Sequence, residues 1–126
     1  RTALDLDGHL PTVMGDHVQL QQVLLNLLMN GCDAMREVPV DRRVLVVSTR
    51  QLSGNAVRVS VQDCGHGIPA GELERIFEPF VTTKKTGLGL GLAVCSTIIR
   101  SHHGRLIAEN LPSGGASFSF ELPIVR

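Results

Sequence analysis

Three groups of residues carry types and spacings that could do chemistry. Asn26, Asn30 and Asp33 recur at i, i+4 and i+7, so on a helix they project from one stripe. Their neighbours Leu24, Leu25, Leu27, Leu28 and Met29 are apolar on nearly all sides, which leaves a side-chain amide half-buried and in need of a partner. Asp63-Cys64-Gly65-His66-Gly67-Ile68 sets a carboxylate at the end of an apolar run with two residues of least bulk beside it. A β-turn explains Asp and Gly equally well, but the glycines also leave room for something flat to approach the main chain. Gly87-Leu88-Gly89-Leu90-Gly91-Leu92 opens an apolar periodic stretch, where amide N–H groups can point at an anion with the help of the helix dipole. Lys84 and Lys85, the chain's only lysines, stand just before it and can bring point charges to a polyphosphate.

Two familiar phosphate-binding patterns do not fit. The P-loop needs Lys-Ser/Thr after its last glycine, and Leu92-Ala93 follows here. A dinucleotide fingerprint follows a strand, whereas Thr82-Thr83-Lys84-Lys85-Thr86 is polar. A glycine-rich loop without a ligand stays open as an alternative. His66, His102 and His103 share no metal-ligand spacing with cysteine or carboxylate and read as loop and helix-end residues.

These residues need elements to hold them. Leu4 to Asp7 alternates like a short strand, and Gly8 to Pro11 reads as a turn. Asp16 with Gln19 three places on is a capping-box pair, and Leu20, Val23, Leu24, Leu27 and Leu28 then recur at helical spacing towards Pro39. Val44 to Arg50 and Ala56 to Gln62 are β-branched runs around Ser53-Gly54-Asn55, which predicts an antiparallel hairpin. Asp63 to Gly91, rich in Gly and Pro, is expected to be a long, partly mobile loop. A second helix is expected from Leu90 to His102, with Gly104 as its C′ residue. Strands over Leu106 to Glu109 and Ser117 to Leu122, joined by a Pro112 to Gly115 turn, complete an α/β sandwich: one mostly antiparallel sheet with its helices on one face.

A chain of 126 residues is expected to form one domain, 1–126. Its 12 basic and 12 acidic residues cancel, and it has no Trp, no Tyr and 4 Phe, which argues against a nucleic-acid or anionic-membrane binder. No apolar run approaches the roughly 18 residues needed to cross a bilayer, and Arg1 to Asp5 lacks the character of a signal sequence. Cys32, Cys64 and Cys95 fit reduced, mostly buried thiols of a cytoplasmic protein.

Taken together and in this order, Gln22 to Asn30, Asp63-Cys64-Gly65-His66-Gly67, Phe77-Glu78-Pro79-Phe80 and Gly87 to Gly91 resemble the N, G1, F and G2 boxes of bacterial two-component sensor histidine kinases. The resemblance runs over nearly the whole chain and is to their catalytic ATP-binding domain, of the Bergerat type; the Phe80-Val81-Thr82-Thr83-Lys84 lid is most like the nitrogen- and oxygen-sensing branch. It implies ATP and Mg2+ as cofactors. By the resemblance, Asp63 accepts a hydrogen bond from the adenine amino group, and Gly65, Gly67 and Ile68 let the base lie close. Asn30 becomes the magnesium ligand and, with Asn26, a catalytic residue, while Asn30 and Asp33 join the ATP-binding set. Thr82, Thr83, Lys84, Lys85 and the amides from Gly87 through Leu88, Gly89, Leu90 and Gly91 to Leu92 become phosphate-binding groups, with Phe77 and Phe80 anchoring the lid. Three departures stand out. Ala34 replaces an aromatic residue against adenine, Ala116 replaces a Ser or Thr that supports the aspartate, which leaves a water to do so, and His66 has no role.

Gyrase, mismatch-repair and heat-shock-chaperone ATPases of the same superfamily, and the anti-sigma serine kinases, carry a Glu where this chain has Asn26. An amide cannot take a proton from water or a hydroxyl, whereas an imidazole nitrogen is already nucleophilic. A histidine kinase is therefore the expected activity, with an ATP-binding module that does not transfer phosphate as the alternative. None of the five histidines lies in a phosphoacceptor context, so the implied partners are a separate dimerisation and phosphoacceptor helical domain and, downstream, a response regulator. The isolated chain is expected to be a monomer that does not label itself and makes no direct membrane contact; anchoring of a parent protein is left open.

Overall fold

The computed structural model describes residues 2–5, 13, 15–52, 54–69, 71–78 and 91–124. In chain order they form β1 (Thr2–Asp5), α1 (His17–Ala34), a short 3-10 turn (Val40–Arg42), β2 (Leu45–Leu52), β3 (Ala56–Gln62), α2 (Gly91–Ser101), β4 (Arg105–Asn110) and β5 (Ala116–Pro123). The strands make one sheet in the order β1-β2-β3-β5-β4, parallel between β1 and β2 and antiparallel elsewhere. Both helices pack on the same face, against each other and against β2 to β5. This is the expected sandwich, with a parallel edge.

The hydrophobic pattern explains the layering. On α1, Val23, Leu27 and Gly31 are buried, four residues apart, and on α2 the buried residues are Cys95, Ile98 and Ile99. Phe118, Phe120 and Leu122 alternate along β5 towards the helices. The opposite face is polar: Ser60 and Ser119 share a hydrogen bond at 3.0 Å, and the Glu121 carboxylate takes Arg58 on one strand and Arg105 on the other. α1 starts where its cap residue predicts, with Oδ1 of Asp16 accepting the Gln19 N–H at 3.0 Å. No helix among the described residues is long and apolar enough to cross a membrane.

Four expectations need correction. The first strand begins at Thr2, two residues earlier than its alternation suggests, where it pairs with Leu45 of β2; Leu6, Asp7 and the expected Gly8 to Pro11 turn lie outside the described residues. Residues 69–78 are not bare loop: the N–H groups of Glu72, Arg75 and Glu78 each bond to the carbonyl three residues back, at 2.9 Å, and Ile76 is buried with Leu73 and Phe77 against the core. The left-handed residue closing α2 is His103 (φ 62), not Gly104. Gly104 lies one place on, its N–H bonded to Ile99 O, and a Cβ there would stand 2.0 Å from the Glu121 carbonyl oxygen, so glycine is required by close approach. Of the cysteines only Cys95 is buried; Cys32 is exposed because it falls on the side of α1 opposite Val23 and Leu27, and Cys64 is half-buried.

Candidate functional site

Asp63 follows β3 directly and is 4% exposed. Its main-chain N–H donates to Ala116 O at 3.0 Å, and its Oδ1 accepts the N–H groups of Gly65 at 2.9 Å and Ala116 at 3.2 Å. Two amides thus hold one oxygen, and Oδ2 is left without a protein partner among the described residues. The backbone of Ala116 supports the carboxylate at Oδ1, which every residue but proline at that position could do.

The loop that follows is fitted closely. A Cβ at Gly65 would stand 2.1 Å from Ala34 O, the end of α1, so its bulk is excluded by the protein itself, whatever lies on its other side. Gly67 has φ 78 and turns the chain back. Ile68, 8% exposed, is then gripped by Asn110: its N–H donates to Oδ1 at 2.7 Å, and its carbonyl accepts from Nδ2 at 2.9 Å. Among the described residues, the exposed His66 ring hydrogen-bonds the neighbouring Gly67 carbonyl. Cys64 Sγ sits 3.4 Å from both Met35 Sδ and Arg42 O, filling the gap between the end of α1 and the start of β2.

α1 passes beside this loop, since a Cβ at Gly31 would lie 3.7 Å from Asp63 Cβ. Asn30, the preceding residue, is half-buried, and its side chain has no hydrogen-bond partner among the described residues. Asn26, one turn earlier, lies beside Cys95 of α2, whose Sγ is 3.9 Å from Val23 O. Burial pushes the Cys95 thiol up from its ordinary pKa, and the neighbouring Asn26 offsets only part of that. Asp33 is engaged by Arg36, Oδ1 to Nη2, at 3.3 Å. The three residues of the helical stripe therefore have three different neighbourhoods: Asn26 beside Cys95, Asn30 beside the Asp63 loop and Asp33 paired with Arg36.

Gly91 and Leu92 begin α2, Gly91 exposed and Leu92 packed against the core. Phe77 meets Phe118 edge-on, with ring centroids 6.5 Å apart, which ties the end of the 69–78 segment to β5. Phe80, Thr82, Thr83, Lys84, Lys85, Gly87, Leu88, Gly89 and Leu90 lie outside the described residues. Asn110 was missed by sequence reasoning; its only local sign is a strand ending at Asn just before Leu-Pro-Ser-Gly-Gly. No group of three His, Cys, Asp or Glu side chains that could hold a metal occurs among the described residues.

The described residues thus bring together a buried carboxylate at a strand end, a glycine loop and a helix on an α/β sandwich. The sequence profile of the histidine kinase-, DNA gyrase B- and HSP90-like ATPases matches residues 15–126, and the chain belongs to that family. Within it, the chain matches the catalytic domain of sensor histidine kinases. The sensor histidine kinase TmoS of Ectopseudomonas mendocina is 45% identical over 116 residues, which is 91% of this chain and 12% of TmoS. The nucleotide-free catalytic domain of histidine kinase ThkA superposes with a TM-score of 0.83 at 35% identity, covering 98% of this chain and 78% of that one. ThkA in complex with response regulator protein TrrA gives 0.79 at 33% identity, over 98% and 34%. Full-length ShkA in complex with AMPPNP gives 0.82 at 32% identity, over 98% and 25%. The chain thus spans only about an eighth of TmoS.

Proposed function

We propose that residues 1–126 form one ATP-binding catalytic domain that donates the γ-phosphoryl group of Mg-ATP to a histidine on a separate helical dimerisation domain. The phosphate would then pass to a response regulator, in the cytoplasm. The observation that carries this reading is the Asp63 carboxylate, with Oδ1 fixed by two amides and Oδ2 left as an acceptor. An adenine amino group is a donor and matches it; the guanine O6 at the same position is an acceptor and does not. The matching of ShkA bound to AMPPNP and of ThkA bound to its regulator supports the same assignment.

The donor set fits magnesium. A hard cation that keeps several waters and rests on substrate phosphates needs one or two protein oxygens, and the Asn30 side chain offers an amide oxygen with no partner among the described residues. Bound there, Mg2+ would neutralise charge on the β- and γ-phosphates. Lys84 and Lys85 would face the same phosphates, with Asp33, Thr82, Thr83 and the amides from Gly87 to Leu92 around them. Asn26 contributes no base, because its amide cannot accept a proton. Transfer forms a bond from the acceptor's imidazole nitrogen to phosphorus and breaks the bond from phosphorus to the β–γ bridging oxygen, which leaves with ADP.

Asp63→Asn tests the reading without unfolding the domain. The amide oxygen can still accept from Gly65 and Ala116, which forces the NH2 group into the place of Oδ2. A donor then meets the donor of adenine. The ATP-over-GTP preference should fall by about ten- to hundredfold, the worth of a hydrogen bond to a charged group, in calorimetric titrations of wild type and variant. An unchanged preference removes Asp63 from the site. Radiolabelled ATP should label a separately supplied dimerisation helix but not this chain, and Asn30→Ala should abolish that labelling.

A further inference from the structure

We infer that Asn110 is a positioning residue that sets the depth of the adenine pocket, an inference that rests on the nucleotide reading above. The Asp63–Ile68 loop is held at both ends by one rung of the sheet. In the β4–β5 ladder Asn110 is the register partner of Ala116. Ala116 takes the start of the loop, through its carbonyl to Asp63 N–H and its N–H to Asp63 Oδ1. Asn110 takes the end, with Oδ1 and Nδ2 on the two main-chain groups of Ile68 at 2.7 and 2.9 Å.

A carboxamide supplies one acceptor and one donor in a plane, the same pair that a neighbouring strand would offer to Ile68. Ile68 has no strand beside it, so the Asn110 side chain replaces one. Between the two anchors lies the left-handed Gly67, and a Cβ on Gly67 would stand 2.8 Å from Asn110 Oδ1, so the turn leaves no slack against the clamp. The separation between the Asp63 carboxylate and the main chain at Gly67 and Ile68 is thereby tied to the width of a single rung. A base lying on this loop meets its hydrogen-bond acceptor and its supporting surface at a spacing that Asn110 enforces.

Asn110→Asp isolates this role. The ionised carboxylate keeps an acceptor for the Ile68 N–H but sets an oxygen against the Ile68 carbonyl. When protonated it regains a donor and the carboxamide pattern. Isothermal titration of this chain with ADP and GDP at pH 8 and pH 5, with wild type as reference at each pH, reads the difference. At pH 8 the variant should bind ADP about tenfold more weakly, with its ADP-over-GDP preference reduced; at pH 5 both should return to within about threefold of wild type. Asn110→Ala should show the loss at both pH values, and Asn110→Ser, which retains a hydroxyl, serves if the alanine variant fails to fold. Exchange of the Ile68 amide should quicken in the variants without any nucleotide, reporting the clamp directly. A merely structural clip would lower melting temperature in every variant yet leave the ADP-over-GDP ratio at its wild-type value; that result overturns the inference while the nucleotide reading stands. Wild type that binds neither ADP nor GDP would overturn both.

Discussion

The two ends of β5 each meet the rest of the molecule at a glycine, yet they are fastened by different means. At the end that carries Ala116, main chain meets main chain: a Cβ at Gly115 would be 2.1 Å from Asp63 O, and the Ala116 amide and carbonyl both serve Asp63. At the Glu121 end, Gly104 likewise abuts the Glu121 carbonyl, at 2.0 Å for a Cβ, but the surrounding bonds come from side chains: Arg58 and Arg105 on the Glu121 carboxylate, and His102 on the start of α1. Main-chain fastening defines position to within a fraction of a bond length and is indifferent to residue type. At the Glu121 end the side chains supply stability, whereas at the Ala116 end the Asn110 side chain stands in for a main chain. One strand thus offers a recognition end and a holding end.

The sharpest break in that comparison is a methyl group at each glycine. Gly115→Ala adds a Cβ against a main-chain carbonyl at φ 87, and Gly104→Ala adds one against the Glu121 carbonyl. Neither carbonyl can move without dragging a strand, so each variant should lose about 4 kcal/mol or more, a melting-temperature fall well beyond 10 °C. The two should then part company. Below its lowered melting temperature, Gly104→Ala should keep the ATP-over-GTP preference of wild type, whereas Gly115→Ala, with Asp63 displaced, should lose it. Equal retention would mean that the recognition end is not special. As a control, Gly71→Ala, where no atom lies within 4 Å of the new Cβ, should melt within a degree or two of wild type.

The same division accounts for what the sequence discloses. Helical and alternating periods mark α1, β2, β3 and β5, because burial repeats along an element; the Asp16 cap is local and equally visible. Asp63, Gly65 and Gly67 stand out by type. Ala116 does not, since it acts through amide and carbonyl groups that every residue but proline owns. Asn110 escapes for another reason: its partner is 42 residues away, and a single side chain bonding to distant main chain leaves no period to detect. Leu73, Ile76 and Phe77 did carry a signal, i, i+3 and i+4, which the glycines and prolines around them obscured. His103 rather than Gly104 takes the left-handed turn because Gly104 is claimed by the approach of β5.

A smaller effect is expected where the holding end reaches α1. His102 Nδ1 lies 2.8 Å from Ile98 O and so carries the proton, which leaves Nε2 to accept the Asp16 N–H at 2.9 Å. His102→Ala strands that amide at the head of α1 and opens space beside Gly15, whose Cβ position is 2.9 Å from the ring. Stability should fall by about 1 to 2 kcal/mol, with faster exchange at Asp16, while nucleotide preference is unchanged. A change in preference would show that the entry to α1 communicates with the base pocket, and the two-ended description of β5 would need revision.

The smallest effect concerns acid. Glu121 is partly desolvated, which raises its pKa, but hydrogen bonds and charge from Arg58 and Arg105 outweigh that and hold the carboxyl below its ordinary range. A depressed folded-state pKa means that the unfolded chain takes up the proton first. The contribution is therefore whole above the ordinary carboxylate value of about 4.3 and is lost as pH falls through the lower folded value. The Glu121 side chain is 12% exposed but its partners are 36% and 71% exposed, so solvent screening limits the pair to about 1 kcal/mol. Glu121→Gln should melt slightly lower than wild type at pH 7, and the gap should narrow as the pH falls below about 4.3 and close once it has passed the lower folded-state value, where both proteins carry a neutral side chain. A gap that stays constant would assign the loss to packing rather than charge, and a gap in ATP affinity would mean that the holding end also recognises.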